Sequence, residues 1–442
     1  MIFFHILFLV LSLFFPFAFA QGKEFSLMEC ISSATENNTE IARAKAEFEI
    51  IKERERQSLA SLLPSVDVSV ARSKVNQDRS DVGSGKINQS YVVERDSIFL
   101  RQPIYRPRLL NDFKRSKTDV AAERFALKEK EDLLKYKVSN SYMRILILDE
   151  QLSLQNRKTK LLDEQLIAAK KALIAGTGTI TEEVELKAAY DKAIVDILAI
   201  KQAIKIEFRE LSFLAGTDIK RIKKLNSEQD KFNELNKINM EEWQALALEN
   251  NAGILRVQER IQALTLALSA QKKERLPVLD LNMEISRGSS ESSFFVNSET
   301  SSKSIGLSLS VPIYRGGGIS SKIREASARL TVEEEILRSQ EDDIRKQVQK
   351  AYFGLSENYG LNQALSTAVK SAKLELSSNK KSAEAGFRRK LDILVSQQKL
   401  LNVEKDLFDS KANMLLFWIN LNLLSGKLSQ NEMKKLEKFF VN

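Results

Sequence analysis

The chain has 442 residues, with 68 basic against 59 acidic side chains, one cysteine and one histidine. Its formal net charge of +9 is spread along the chain and gathers into no patch interleaved with stacking aromatics, which excludes nucleic acid as a partner and reads instead as the solvated faces of helices. The histidine, His5, lies in an apolar N-terminal stretch; with that stretch removed, no imidazole remains. This excludes Ser-His and Cys-His nucleophilic pairs and leaves Cys30 as the one residue that could offer a thiolate to zinc, so no catalytic residue, metal site or cofactor is expected.

Residues 2 to 20 carry no charge, include seven phenylalanines and end in Ala18-Phe19-Ala20 before Gln21. That is the pattern of a secretory signal peptide over residues 1–20. No Lys or Arg precedes the apolar run, so an uncleaved membrane anchor is the alternative; Pro16 and the small residues after it favour cleavage. No cysteine follows the site, which excludes lipid attachment there. Cys30 stands among Leu27, Ile31 and Ala34 and reads as a buried small hydrophobe, with no partner for an intramolecular disulfide.

A short helix is expected from Ser26 to Asn37, then a second, capped by Thr39 and running to about Ser61 before Pro64. Val66, Val68 and Val70 then alternate with polar residues, a period of two that predicts a strand. A polar loop is expected over Asn76 to Ser90, with Gly83-Ser84-Gly85 at its tip, before a return strand at Ser97 to Arg106. After Pro107, a first-turn proline, neither proline nor glycine occurs until Gly176. A helix of about 68 residues fits there, ~100 Å long at ~1.5 Å rise. Leu127, Leu134, Val138, Ile145 and Leu152 step by 7, 4, 7 and 7, the spacing of a coiled-coil seam. The helix should reverse at Ala175-Gly176-Thr177-Gly178 and return to Gly216, where a glycine stops it.

All of this occurs twice. Pro64 and Pro277 lie 213 positions apart, and the same offset aligns Glu36-Asn37-Asn38 with Glu249-Asn250-Asn251 and Val66, Val68, Val70 with Leu279, Leu281, Met283. After the hairpin the offset is 209, pairing Pro103-Ile104-Tyr105-Arg106 with Pro312-Ile313-Tyr314-Arg315; farther on it is 210, pairing Ala175-Gly176 with Ala385-Gly386. The chain is a tandem duplication of a unit of roughly 200 residues, here divided as repeats 21–217 and 238–428, a linker 218–237 and a tail 429–442. In the second copy Leu279, Leu281, Met283 and Ile285 face Ile305, Leu307, Leu309 and Val311 across a Ser-rich interval. Each arm has about 9 to 11 alternating residues, the length and pattern of a transmembrane strand. The second long helix, from Ile319 to Glu384, carries a seam at Leu337, Ile344, Val348, Ala351 and Leu355, with Gly354 and Gly360 as places where it could bend. Gly316 to Gly318 permit the turn from strand into helix; without a following Lys-Ser or Lys-Thr they do not make a phosphate loop.

Four strands cannot close a barrel, and open strand edges are not tolerated in lipid. Several copies must therefore close one together, and the residues leave open whether the ring is a dimer, a trimer or larger. Helices begin almost where strands end, so barrel and coiled coil are expected to be continuous.

The openings Ile31 to Asn38 and Leu246 to Asn251, the Leu-Pro entry to each first strand, Pro-Ile-Tyr-Arg-Gly-Gly-Gly after the last, and the Ala-Gly helix turns resemble outer-membrane efflux proteins of the TolC family, over residues 24 to 428. The resemblance implies a mainly α fold with a β-barrel portion. Each tandem-repeat protomer would supply four transmembrane β-strands and long coiled-coil hairpins to a homotrimer with a 12-strand barrel and a 12-helix periplasmic barrel. It further implies an outer-membrane location and a passive exit duct for an efflux pump or type I secretion system, with a periplasmic adaptor, an inner-membrane transporter and outer-membrane lipid as partners.

The family's paired gate aspartates fall here on Asp392 and Val395, so only the first is acidic; the equivalent places in the first repeat are Glu182 and Glu185. These carboxylates, with Arg388 and Arg389 able to pair with them, are the expected periplasmic gate, where rings of carboxylates would favour cations. Helix capping is the competing reading, since Thr179 and Glu182 have capping-box spacing and acids suit a first helical turn. Gly176, Thr177, Gly386 and Phe387 are the expected adaptor-docking turns. Tyr105 and Tyr314 are expected at the membrane interface. The rival functions are a periplasmic adaptor or a coiled-coil adhesin, and an enzyme has least support.

Overall fold

The computed structural model describes residues 24–81, 85–225, 238–292, 295–385, 387–388, 390–428, 432, 434, 436 and 439–440. The signal segment 1–20, the tip residues Gly83 and Ser84, linker residues 226–237, Gly386 and Arg389 lie outside the described residues. In chain order come α1 (Leu27–Asn37), α2 (Thr39–Ala60), β1 (Ser65–Asp81), β2 (Gly85–Tyr105), α3 (Pro107–Ile174) and α4 (Ile180–Ala215). The same series follows as α5 (Met240–Asn250), α6 (Ala252–Lys273), β3 (Val278–Ser292), β4 (Phe295–Ser310), α7 (Gly318–Glu384) and α8 (Lys390–Leu424). The duplication extends to element boundaries: α5 and α6 begin and end 213 residues after α1 and α2, and α8 begins 210 residues after α4.

The helix ends explain why asparagines recur in the repeat. Ser26 caps α1 through a complete capping box with Glu29. The second helix is capped by Asn38, whereas the sequence suggested Thr39. The Asn38 Oδ1 accepts the N–H groups of Glu40 and Ile41 at 2.9 and 3.4 Å, and Thr39 is already helical. Asn251 does the same for α6, accepting from Gly253 and Ile254. Such a cap satisfies donors that the first turn leaves without partners.

Two compact units divide the chain, and each draws on both repeats. The first comprises Met1–Ile41, Glu131–Trp243 and Val348–Asn442, counting the described residues. Here α1 packs on α4, and the Asn38 amide donates to the Leu214 carbonyl at 3.0 Å. Gly216 ends α4 at φ +66°, where a Cβ would stand 2.6 Å from that of Asn37; only glycine suits both the left-handed turn and the close approach. The α3 seam residues Leu134, Val138 and Ile145 are buried, as are Val348, Ala351 and Leu355 of α7; Leu152, also in this unit, is half-buried, and the remaining buried α7 seam residue, Ile344, falls in the second unit. Tyr142 is fully buried, donates through its hydroxyl to the Lys223 carbonyl at 2.9 Å and stacks edge-on against Phe440. Cys30 is wholly buried, as expected, and burial pushes its thiol up to about 12.

The second unit, Ala42–Lys130 and Gln244–Gln347, holds a four-stranded antiparallel sheet in the order β1-β2-β3-β4. Its strands are longer than the sequence suggested. The expected loop from Asn76 to Ser90 is largely strand, with Asn76 opposite Ser90 and the ladder running on to Asp81 opposite Gly85. The Ser-rich interval of the second copy is likewise paired, Arg287 with Ser301 and Ser290 with Ser298. Polar partners hold these extensions, as in the Arg72–Asp96 contact at 2.7 Å and the Tyr91 hydroxyl on Gln77 at 3.2 Å.

Candidate functional site

The sheet sorts most of its side chains by face. Cross-strand partners share a face, and the registers put Val66, Val68 and Val70 with Leu100 and Ile98, then Met283 and Ile285, then Ile305. Leu281 opposes Leu307 and Leu279 opposes Leu309 on the same face. On β3 this band runs from Leu279 to Ile285, ~20 Å along the strand at ~3.3 Å per residue. On the outer strands it is exposed: Val68 is 71% and Leu307 68% exposed. Charged residues bound the band at one end, where Val70 meets Asp96, Arg72 meets Glu94, and Arg287 faces Asp96.

The opposite face is mainly polar, with Asp67, Ser69, Ser97, Asn282, Ser286, Ser304 and Ser308 on it and Phe99 as an apolar exception between Asp67 and Glu284. At its foot, Asp280 is largely buried and accepts from Arg106 Nε at 2.7 Å, from Arg106 Nη2, and from Arg101 Nη2 at 3.1 Å. Sequence reasoning had no signal for this cluster except the repeat alignment, which places a second aspartate and a second arginine at the matching positions. Tyr105 and Tyr314 lie at the same end, Tyr105 closing β2 and Tyr314 just beyond β4. The outer strands β1 and β4 each have one unpaired edge among the described residues.

The hairpin end belongs to the first unit. Ala172, Leu173, Gly176 and Thr177 form a Schellman turn, with Thr177 N–H on the Ala172 carbonyl at 2.9 Å and Gly176 N–H on the Leu173 carbonyl at 3.0 Å. Gly176 takes φ +71°, and a Cβ there would meet nothing within 4 Å. Phe387 is almost wholly exposed and donates its N–H to the Ser382 carbonyl; Gly386, between the second hairpin's helices, lies outside the described residues. Leu162, Leu166, Ala169, Leu186 and Ala193 form a small apolar core, against which Ala189, Tyr190 and Leu394 pack. That packing brings the first turns of α4 and α8 to one end of the bundle.

The expected gate residues sit on those turns. Thr179 Oγ1 accepts the Glu182 N–H at 3.3 Å, so the capping role read from the sequence is present at this helix start. Glu182 and Glu185 are exposed, as is Val395. Asp392 is paired with Arg388 at 3.8 Å, one turn back. The structure thus gathers the four residues at one end of the helices and joins two of them in an ion pair. No helix of the described residues is long and apolar enough to cross a membrane.

A family model described as "Outer membrane efflux protein" matches residues 30–217 and 243–427. The protease secretion protein PrtF of Dickeya chrysanthemi is 24% identical over 428 residues, 95% of this chain and 92% of that one. The alkaline protease secretion protein AprF of Pseudomonas aeruginosa is also 24% identical, over 96% of this chain and 88% of its own. Among solved structures, the outer membrane protein VceC of Vibrio cholerae superposes with a TM-score of 0.78 at 14% identity, covering 91% of this chain and 97% of the other.

Proposed function

Because the chain belongs to the outer membrane efflux protein family, we propose that three copies close into one outer-membrane barrel and serve as the passive exit duct of an export system. The observation that carries this reading is the sheet: an apolar face exposed on the outer strands, a mainly polar reverse face and two open edges. Alone in lipid its edges would leave backbone groups without partners. Twelve strands from three copies satisfy them and turn the polar face to a water-filled interior.

The duct takes its cargo from an inner-membrane transporter through a periplasmic adaptor. The hairpin turns at Gly176, Thr177, Gly386 and Phe387 are the adaptor's docking points, an assignment favoured by the open space at Gly176 and the exposure of Phe387. The two relatives named for protease secretion favour a polypeptide as cargo. Crosslinking from Thr177 followed by mass spectrometry should recover an adaptor and its transporter; recovery of a drug efflux pump would overturn the cargo assignment.

Asp392, Glu182 and Glu185 form the periplasmic gate, and Arg388 holds it shut through its pair with Asp392. Threefold repetition would bring like charges into a narrow opening and raise the local negative potential. In planar bilayers, Asp392→Asn should reduce cation selectivity and weaken block by trivalent cations, and Val395→Asp should strengthen that block. If both variants conduct as wild type does, the carboxylates only complement their helix termini.

A further inference from the structure

We propose that β4 of one copy and β1 of the next are locked in register by an ion pair between Arg315 and Asp67 of the adjoining copy. This rests on the closed-ring reading above, and it names the contact that sets the seam.

The template is inside the chain. Asp280, on β3, is gripped by Arg106, the residue that follows β2. The duplication gives each of these residues a counterpart: Asp67 lies 213 positions before Asp280, and Arg315 lies 209 positions after Arg106. Asp67 stands on β1 and Arg315 follows β4, so the two counterparts lie along the two open edges. Both are exposed, and neither makes an ion pair among the described residues. A couple that is satisfied at the internal seam is therefore split between the two edges. In a ring of copies, β4 and β1 of adjoining copies are neighbours as β2 and β3 are within one, and the same two residue types meet.

The backbone supports the same register. At the internal seam Leu100 faces Met283 and Gln102 faces Leu281; the same offsets put Leu309 opposite Val70 and Val311 opposite Val68 of the next copy. All four are apolar, and Leu309, Val68 and Val70 belong to the exposed apolar band. A slip of one residue would set that band against the polar face. The end of β2 is strand because β3 lies beside it, with Pro103 opposite Asp280 and Tyr105 opposite Leu279. Its counterpart, residues 311–315, has no such neighbour and is irregular. Tyr314 is accordingly 85% exposed against 49% for Tyr105, and a neighbouring β1 would cover it. One difference remains between the seams: the counterpart of Arg101 is Ser310, so Asp67 would receive one guanidinium where Asp280 receives two. The seam between copies is the more easily opened.

The full chain, extracted in mild detergent, tests this on unheated gels run after a temperature series. Asp67→Arg or Arg315→Asp alone should lower the temperature at which the oligomer comes apart, because each puts like charges at the seam. The double exchange should recover most of the loss. Should the single variants fail to assemble, Asp67→Cys with Arg315→Cys in a Cys30→Ser chain, treated with a short bis-maleimide, should give covalent dimers and higher oligomers. A wild-type chain that is monomeric by light scattering would overturn the ring itself. An oligomeric wild type whose single variants dissociate normally, whose double exchange recovers nothing, or whose cysteine pair does not crosslink would overturn the ion pair and leave the ring standing.

Discussion

Gly354, in the middle of α7, reads from sequence as a weak point where the helix could bend, yet α7 is continuous through it. Its reason is contact: a Cβ there would lie 2.5 Å from the Phe417 ring of α8, whereas one at Gly360 would meet nothing within 4 Å. Overpacking costs about 1–3 kcal/mol, more than the ~1 kcal/mol that alanine gains over glycine in a helix. Gly354→Ala should therefore lower the thermal unfolding temperature, and Gly360→Ala should leave it equal or higher. Equal stability of the two variants would show that Phe417 yields freely. A similar ambiguity hid the cap of α2. Asn38 and Thr39 are both good capping residues, and only the positions of the Glu40 and Ile41 N–H groups decide between them.

At the scale of elements, α3 was legible because neither proline nor glycine interrupts its interior, α7 because the repeat aligns it with α3 despite Gly354 and Gly360, and the apolar halves of the strands because they alternate. The polar halves were not, since a period of two shows only where one face is apolar. Beyond Val70 both faces carry polar or charged residues, and a paired strand there has the composition of a loop. The cross-strand partners Arg72 with Asp96 and Tyr91 with Gln77 are visible only once the register is known. The register fixes the faces, and a substitution can test them. Leu281→Arg or Leu309→Arg, on the apolar face, should cost about 2–4 kcal/mol near the bilayer midplane. Ser308→Arg, on the polar face opposite Asp280, should leave stability near wild type and change conductance. A larger stability loss at Ser308 would mean that the faces are reversed.

The molecule as a whole is a duplication whose two copies supply two adjacent hairpins to one sheet. That organisation was legible in the offsets of 213, 209 and 210, because duplicated prolines and glycines mark the same turns in each copy. The proposed gate was less legible. Its family pattern falls on Asp392 and Val395, so one of two expected charges is missing, and the hairpin positions of Glu182 and Glu185 follow from the repeat alone. In the proposed duct, closure by further copies of the chain unites sheet, edges and hairpins. The mass of the detergent-extracted protein, measured by light scattering with the detergent contribution removed, tests this most directly. The account predicts three copies per particle; a folded monomer recovered from the outer membrane would contradict it.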